Sequence, residues 1–402
     1  MQLREWNARL HGLVVFRALL GDPVVAKLAA LTDRLEAADD SIAPLCDAVA
    51  AFEAALFAHT TNLGDYLSNA VLETETFCVR QAAAGQLSPV MEAALNSELN
   101  FLQKLCGLTL DTLLEAADRQ SRELAFLPRW EARQLDLTAA YNQRMREAGK
   151  KGYGMFAKHH VFTVENGQLV PVKYPDPQKL SELPGYEKER EKVIANTRAL
   201  LAGSPANNVL LYGDAGTGKS STVKAIANEY AADGLRLVEV KKNQLYQIPD
   251  LMDALASNPL KFILFIDDLS FTANDDNFAA LKAILEGSVG GRAGNIAVYA
   301  TSNRRHLVKE SMSDRSGDDL HAADTRQELM SLSARFGLTI TFGSPDRERY
   351  LHIVEELAKQ YGVELDPRQL AVRSEAFAVR SGGRSARVAK QFIELCKAGV
   401  FS

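Results

Sequence analysis

The stretch from Leu210 to Val223, LLYGDAGTGKSSTV, constrains the fold of this chain more than any other. It joins an apolar run to a helix-like run through three glycines and a lysine, in the pattern G-x-x-x-x-G-K-[ST]. Glycines let such a loop wrap so that backbone N–H groups point inward at phosphate oxygens. A helix that begins at the same place aims the positive end of its dipole at the same charge. The stretch therefore predicts a β-strand, a phosphate-binding loop and an α-helix, in that order.

Two side chains of this loop have defined roles in nucleotide binding. Lys219 would place its charge on the β and γ phosphates, and the Ser220 hydroxyl would reach a magnesium ion. ATP is favoured over GTP because no Asn-Lys-x-Asp motif follows the later apolar run Ile296–Asn303. We therefore expect ATP and Mg²⁺ as cofactors. The residues expected to surround the nucleotide are Gly213, Asp214, Ala215, Gly216, Thr217, Gly218, Lys219, Ser220 and Ser221.

A second apolar run, FILFIDDLSF, ends in paired carboxylates. A carboxylate at the end of a strand beside the phosphate-loop strand holds Mg²⁺, usually through water. The adjacent carboxylate can orient and deprotonate the attacking water. We predict the metal role for Asp267, together with Ser220, and the catalytic role for Asp268.

Apolar runs and helix-like runs alternate through the second half of the chain. Five near-continuous apolar runs joined by helices are typical of a buried parallel sheet with helices on both faces. The sequence thus predicts an α/β core with a five-stranded parallel sheet. The predicted strands are Asn208–Gly213, Leu235–Val240, Lys261–Asp268, Ile296–Asn303 and Leu338–Phe342.

The first 148 residues have a different texture, with apolar residues at i, i+3, i+4 and i+7, as in VVAKLAALTDRLEAA. This pattern predicts an all-helical domain, whose exposed face could hold a partner or which could be a purely structural cap. In the segment that follows, ENGQ lies between two β-type runs, and Asn-Gly is a strong hairpin signal. The predicted boundaries are 1–148 for the helical domain, 149–180 for a linker with a β-hairpin, 181–343 for the α/β core and 344–402 for a helical lid.

Composition narrows the function classes. The formal charge of −5 argues against a chain built mainly to coat nucleic acid or an anionic membrane. A local cluster of Lys150, Lys151, Tyr153, Phe156 and Lys158 could contact a nucleic-acid backbone, although a solvated linker is the favoured interpretation. The four cysteines form no CxxC pair, and no apolar stretch is long enough to span a bilayer, so we expect a cytoplasmic protein with no membrane partner.

Beyond the phosphate loop and the acid pair, three further residues resemble motifs of AAA+ ATPases. Asn303 ends the strand-like stretch ATSN, Arg335 lies in LSARFGL, and Arg384 lies in SGGRSARVAKQF. The resemblance implies that Asn303 lies near the attacking water and that Arg335 reaches the γ-phosphate of a neighbouring subunit. It implies that Arg384 contacts the phosphates from the lid, with Arg387 as the alternative. It also implies an AAA+ P-loop core with a C-terminal helical lid.

The segment LPGYEKEREKVIANTRALLAGSPANNVLLYGDAGTGKSS resembles an uncharacterised bacterial AAA+ ATP-binding family known only as a domain of unknown function. In that family a Gly-Tyr pair opens the helix beside adenine, which makes Gly185 and Tyr186 candidates for base contact. Most relatives in the wider superfamily have Asp-Glu where this chain has Asp267-Asp268. The shorter side chain of Asp268 makes slow turnover plausible.

The resemblance leads to one main functional expectation and two alternatives. We expect an AAA+ ATPase that hydrolyses ATP at subunit interfaces and couples the cycle to remodelling of an unknown macromolecular client, protein or nucleic acid. An Arg335 that acts in trans implies a homo-oligomer, with a ring such as a hexamer as the expected form. The alternatives are a slowly hydrolysing nucleotide-dependent switch or scaffold, and a helicase-loader-like ATPase that handles DNA.

Overall fold

The computed structural model describes residues 2–37, 41–83, 87–119, 124–269, 277–286, 294–303 and 335–401. The chain divides into two compact units, Met1–Lys158 and His159–Ser402. The division falls inside the segment 149–180, just before the first β-strand. Among the described residues, no helix combines the length and the apolar character that crossing a membrane requires.

The first unit is built from α-helices in the part of the chain that the structure describes. They are α1 (Gln2–His11), α2 (Pro23–Glu36), α3 (Ile42–Phe57), α4 (Leu63–Glu73), α5 (Phe77–Ala83), α6 (Pro89–Cys106), α7 (Leu110–Ala116), α8 (Leu137–Arg146), α9 (Ala148–Lys151) and α10 (Met155–Lys158).

Two of these helices begin with the same local signal, a polar N-cap followed by proline. Asp22 accepts hydrogen bonds from the first-turn amides of α2 at 3.0 and 3.1 Å, and Pro23 occupies the first helical position. Ser88 and Pro89 open α6 in the same way. The apolar faces then close over one hydrophobic core. Its buried aromatic side chains include Phe16, Phe52, Trp130 and Tyr141.

The cationic and aromatic cluster near the end of this unit is a packed structure. Tyr153 and Phe156 are 4% and 7% exposed, so their rings cannot stack on a nucleic-acid base. The Lys151 ammonium lies 2.5 Å from Glu147, and that of Lys158 lies 2.8 Å from Glu73. The arrangement therefore gives no support to a nucleic-acid contact here.

The second unit contains one seven-stranded sheet in its described residues, so the prediction of five strands was wrong. The order is β2-β1-β4-β5-β6-β3-β7, and all neighbouring pairs are parallel except β1 and β2. The strands are β1 (Val161–Glu165), β2 (Gln168–Pro171), β3 (Val209–Gly213), β4 (Leu235–Glu239), β5 (Lys261–Ile266), β6 (Ile296–Ser302) and β7 (Leu338–Phe342).

The two additional strands form a hairpin. Asn166 and Gly167 join β1 to β2 with φ of 51° and 78°, the backbone that a tight two-residue hairpin requires. The strand β1 then pairs in parallel with β4, where Phe162 lies opposite Val238. Phe162 is fully buried, so the hairpin extends the sheet and contributes to its core.

Helices pack on the sheet and continue beyond its last strand. The helices between strands are α11 (Glu187–Leu201), α12 (Lys219–Glu229), α13 (Ile248–Ala256) and α14 (Asn277–Glu286). The helical lid consists of α15 (Arg347–Tyr361), α16 (Pro367–Arg380) and α17 (Ala386–Lys397). Gly343 and Ser344 connect β7 to the lid, and the Asp346 carboxylate caps α15 by accepting from the Arg349 amide at 2.8 Å. Lid and sheet share one hydrophobic core.

Candidate functional site

A cavity of about 1070 Å³ opens where the carboxyl ends of β3, β5 and β6 meet the lid. Ligands of open parallel sheets bind at this edge, because the loops that leave the strands converge there. The phosphate loop forms one wall, and α15 and α17 form the opposite wall. The residues that line the phosphate side include Gly216, Lys219, Ser220, Asp267, Asp268 and Asn303.

The loop after β3 has a conformation that depends on glycine. Gly213 has a φ of 139°, and a Cβ built there would lie 2.0 Å from the Phe342 carbonyl oxygen. Gly218 has a φ of 91° and is the residue from which α12 begins. Because α12 starts at Lys219, its first-turn N–H groups face the loop. This arrangement suits an anion with several oxygens.

Lys219 is 6% exposed and lies inside this loop. Its ammonium group donates to the carbonyl oxygens of Gly213 at 2.8 Å and Asp214 at 2.7 Å, and to Asn303 Oδ1 at 3.0 Å. Burial lowers the pKa of Lys219, while the nearby carboxylates of the loop and of β5 act in the opposite direction. The Lys219 ammonium, the positive charge of the loop that can contact a phosphate, is therefore already held at the centre of the loop.

The Asp267 carboxylate connects two neighbouring strands and the phosphate loop. Its Oδ1 accepts from Ser220 Oγ at 2.6 Å and from Thr301 Oγ1 at 2.5 Å. A hydroxyl and a carboxylate are hard oxygen donors of the kind that Mg²⁺ prefers. Ser220 and Asp267 thus fit a magnesium ion by the chemistry of their donor atoms.

Asp268 follows in an unusual backbone conformation, with a φ of 53°. Its amide donates to Thr301 Oγ1 at 2.9 Å, and its carboxylate Oδ1 accepts from Asn303 Nδ2 at 2.8 Å. Residues other than glycine rarely adopt positive φ, and such strain clusters at functional sites. Both Asp267 and Asp268 line the cavity, and their carboxylates accept hydrogen bonds from different side chains.

The structure therefore brings together the phosphate-loop residues, the acid pair and Asn303. A continuous hydrogen-bonded chain runs from Lys219 through Asn303 to Asp268, and a second runs from Ser220 through Asp267 to Thr301. Thr301 was not predicted. Its signal was present, because Thr301 lies on β6 two positions before Asn303, which directly follows the strand, and residues two apart in extended backbone place their side chains on one face.

The lid presents a different arginine from the one that the sequence favoured. Arg384 forms a bidentate ion pair with Glu375, with N–O distances of 2.8 to 3.2 Å, and it is not among the residues that line the cavity. Arg387, the alternative, lines the cavity. The amide of Arg387 also donates to the Gly216 carbonyl oxygen at 3.0 Å, so the start of α17 contacts the phosphate loop directly.

The predicted base-contacting pair lies beside the cavity. Tyr186 is 2% exposed, stacks on Phe342 at 5.3 Å and donates its hydroxyl to the Gly343 carbonyl at 2.7 Å. Gly185 packs so closely on Ile353 that a Cβ would lie 2.8 Å from that side chain. The described residues that line this end of the cavity are Gln178, Ser181, Glu182, Leu183, Pro184, Ile353, Leu357, Gln360, Tyr361, Lys390 and Lys397.

Arg335 lies at the opposite end of the sheet from the phosphate loop. It precedes β7, whereas the loop follows β3, and these two strands are parallel neighbours. A five-residue strand is about 17 Å long. Arg335 is accordingly not among the described residues that line the cavity.

The strand order β4-β5-β6-β3-β7, the phosphate loop after β3, the acid pair after β5, the asparagine after β6 and the helical lid together form the arrangement that the resemblance to AAA+ P-loop proteins implies. Residues 156–400 match the family described as "Protein of unknown function (DUF815)". Since the match covers more than half of the chain, this protein belongs to the DUF815 family.

Solved structures of Thermotoga maritima RuvB point mutants are also similar to this chain. Two of them match at 18% and 17% sequence identity, each with a TM-score of 0.35. The matches cover 54% of this chain and 63% and 64% of the RuvB chains, which is less than two thirds of their length. At these values the similarity carries no inference about function.

Proposed function

We propose that this protein binds ATP with Mg²⁺ and hydrolyses it to ADP and phosphate. The observation that carries the proposal is the pair of hydrogen-bonded chains at one sheet edge, Lys219–Asn303–Asp268 and Ser220–Asp267–Thr301. They place a buried cation, two carboxylates and the amides of a helix start around one cavity. Phosphoryl transfer needs mainly positioning and charge stabilisation, and these groups supply both.

The binding step follows from the loop. The triphosphate would lie along the amides of residues 215–221, with the Lys219 ammonium moving from loop carbonyls onto phosphate oxygens. Ser220 and Asp267 would hold Mg²⁺, which when bound neutralises charge on the phosphate oxygens. Leu183, Pro184 and the apolar side chains of α15 form the part of the cavity suited to the base.

The chemical step uses Asp268 and Asn303. Asp268 would accept a proton from water as the water oxygen attacks the γ-phosphorus, and ADP leaves with the electrons of the broken P–O bond. Asn303 bridges Lys219 and Asp268, so it can hold the Asp268 carboxylate at a fixed position relative to the γ-phosphate. The position of Asp268 on the cavity lining, with a positive φ, supports this role.

The geometry around Arg335 supports a site completed by a second subunit. Since Arg335 lies at the far end of β7 from its own phosphate loop, any contact with a γ-phosphate must be made in a neighbouring subunit. Hydrolysis at such interfaces implies a homo-oligomer, for which a ring is the closed arrangement of head-to-tail contacts. The cycle would be coupled to remodelling of a macromolecular client, protein or nucleic acid.

The test is to measure ATP binding and steady-state ATP hydrolysis for the full chain and three variants. Lys219→Ala is expected to abolish measurable ATP binding, and Asp268→Asn to retain binding while turnover falls about 10²-fold or more. Lys224→Ala is the matched control, because Lys224 lies on the same helix and pairs with Glu239 at 3.9 Å. Wild-type protein that does not bind ATP, or Lys219→Ala that binds it normally, would contradict the proposal.

One observation favours a second function, that of a nucleotide-dependent switch. Asp268 has a shorter side chain than glutamate, and its carboxylate is already engaged by Asn303 at 2.8 Å. Turnover would then be slow, with the bound nucleotide itself as the signal. Hydrolysis that stays low and flat across protein concentration, despite tight ATP binding, supports the switch. A rate that rises steeply with concentration supports the remodelling ATPase, including a helicase-loader-like one.

A further inference from the structure

The phosphate loop contains a carboxylate that its phosphate-binding role does not use. Asp214 directly follows Gly213, and a negative charge at this position would repel a nucleotide if it faced the phosphates. Its side chain instead points to the connection between β7 and the lid. Asp214 Oδ2 accepts from the Ser344 amide at 2.8 Å and from Ser344 Oγ at 2.7 Å. These bonds lower the pKa of Asp214, so the group is ionised at neutral pH.

The backbone of Asp214 is bonded to the groups that would meet the phosphates. Its carbonyl oxygen accepts from the Lys219 ammonium at 2.7 Å and from Thr217 Oγ1 at 2.9 Å. Its amide donates to the Phe342 carbonyl at 3.2 Å. One residue therefore joins the phosphate-binding lysine to the start of the lid connection.

The other side of that connection is fixed by Tyr186. Its hydroxyl donates to the Gly343 carbonyl at 2.7 Å, and its ring stacks on Phe342. The guanidinium of Arg349, on the first lid helix, lies 4.8 Å from the ring centroid. Gly343 is thus held by Tyr186, a buried aromatic residue of the core, and the next residue, Ser344, is held by Asp214 of the phosphate loop.

We propose that the Asp214–Ser344 contact is a latch through which occupation of the phosphate loop sets the position of the lid. The inference rests on the proposed nucleotide binding. When phosphate draws the Lys219 ammonium away, the Asp214 carbonyl loses its charged donor and keeps the weaker Thr217 hydroxyl, so the residue that carries the latch carboxylate is held less firmly. The latch then loosens and the lid pivots about the Gly343 carbonyl that Tyr186 holds.

The test combines hydrogen–deuterium exchange with ATP binding, for the full chain and for Asp214→Ala, Ser344→Ala and the double variant. In nucleotide-free protein, Ser344→Ala is expected to raise amide exchange in residues 213–219, and Asp214→Ala in residues 343–350. Asp366→Ala is the matched control, because Asp366 accepts two amide hydrogen bonds at 3.1 and 3.2 Å as the cap of α16. It should raise exchange only at the start of α16.

With ATP, the wild type is expected to change exchange across lid residues 347–397. The latch variants should still bind ATP, with affinity altered by about tenfold or less. Asp214→Ala removes both hydrogen bonds of the latch and should lose most of that lid response, whereas Ser344→Ala keeps the amide donor and should lose part of it. The double variant should therefore match Asp214→Ala. The latch proposal alone is overturned if the lid response to ATP persists in the variants. It is also overturned if, in nucleotide-free protein, neither substitution changes amide exchange in the segment that carries the other latch residue. Wild-type protein that binds no ATP overturns the proposed function as well.

Discussion

Asp267 and Asp268 are adjacent in sequence but hold different partners because the backbone turns between them. Asp267 stays on the strand pattern and accepts from two hydroxyls, while the positive φ of Asp268 sends its carboxylate to Asn303. A non-glycine residue in this region costs about 1–2 kcal/mol. The cost is offset by bonds that fix both carboxylates, and in the proposed function this would separate a metal-binding role for Asp267 from a proton-accepting role for Asp268.

The two lid arginines provide a test at the same scale. We expect Arg387→Ala to weaken ATP binding about tenfold, because Arg387 lines the cavity and can place charge on the phosphates. Arg384→Ala should leave ATP affinity within about threefold, since its partner is Glu375. Titration of a fluorescent ATP analogue measures both. A larger loss for Arg384→Ala would return the phosphate role to Arg384.

Glu53 in the helical unit has a separate consequence for stability. It is 3% exposed, neither carboxylate oxygen has a hydrogen-bond partner among the residues that the structure describes, and burial raises its pKa to about 6 from 4.5. The folded state therefore binds more protons than the unfolded state between these values, so the free energy of unfolding falls as pH rises from about 4.5 to 6. At neutral pH the folded unit carries the full cost of the buried charge.

We expect Glu53→Gln to raise the melting temperature of the full chain by a few degrees at pH 7.5 and to lose that gain near pH 4.5. A shift of one pKa unit corresponds to about 1.4 kcal/mol, which sets the scale of the effect. Calorimetry at the two pH values measures it, with the exposed Glu115→Gln as control. An equal gain at both pH values would show that packing, rather than charge, is responsible.

At the scale of elements, the hairpin protects the sheet. Without β1 and β2, the strand β4 would expose a row of unpaired N–H and C=O groups beside Leu237 and Val238. Exposed apolar edges of this kind pair with other chains. The segment after the hairpin is also bound to the phosphate-loop helix, since Asn228 Nδ2 donates to the carbonyls of Asp176 and Gln178 at 2.8 and 2.9 Å.

Two fragments test this protective role. We expect residues 159–402 to remain monodisperse, or to assemble in a defined state, whereas residues 181–402 aggregate and unfold at lower temperature. Light scattering and thermal unfolding at matched concentration compare them directly. The shorter fragment behaving as well as the longer one would mean that β4 does not need its partner.

Which parts could be predicted depends on the range of the interactions that place them. The loop at Lys219 and the acid pair each lie in one continuous stretch, where strand and helix periodicity fix the positions of side chains. The pairing of β1 with β4 joins residues far apart in sequence, so a local hairpin signal could not place it in the sheet. Arg384 precedes the N-cap of α17 and pairs with Glu375 of α16, whereas Arg387 lies in the first turn of α17, and this difference depends on the packing of the two helices.

At the scale of the whole molecule, the two ends of β7 lie next to different candidate functional elements. Its carboxyl end leads into the lid connection beside the phosphate loop, and its amino end follows Arg335. A subunit built this way would use its own loop to hold nucleotide and its opposite edge to complete a neighbour's site. Arginine contacts of this type are worth about 10³–10⁵ in rate where they have been measured in GTPases.

Mixing two inactive variants tests the shared site. The Arg335→Ala variant retains Asp268, and the Asp268→Asn variant retains Arg335. In a mixed assembly, some interfaces therefore combine an intact Asp268 from one subunit with an intact Arg335 from the next. We expect each variant alone to be nearly inactive and an equal mixture to recover about one quarter of wild-type turnover, as random head-to-tail mixing implies. Asp268→Asn mixed with the double variant should recover nothing. A mixture no more active than its components would exclude action in trans.

The lid is attached to the sheet beside the phosphate loop, so a small rotation at this attachment moves the far end of the lid by a larger distance. The Asp214–Ser344 contact is 2.7 Å long, whereas α15 extends 15 residues, or about 22 Å, beyond the connection. For an arm of about 22 Å, each degree of rotation at Ser344 moves the far end of the helix by roughly 0.4 Å. A displacement at the phosphates no larger than a bond length would therefore be amplified several times at the far end of α15, where Gln360 and Tyr361 line the cavity.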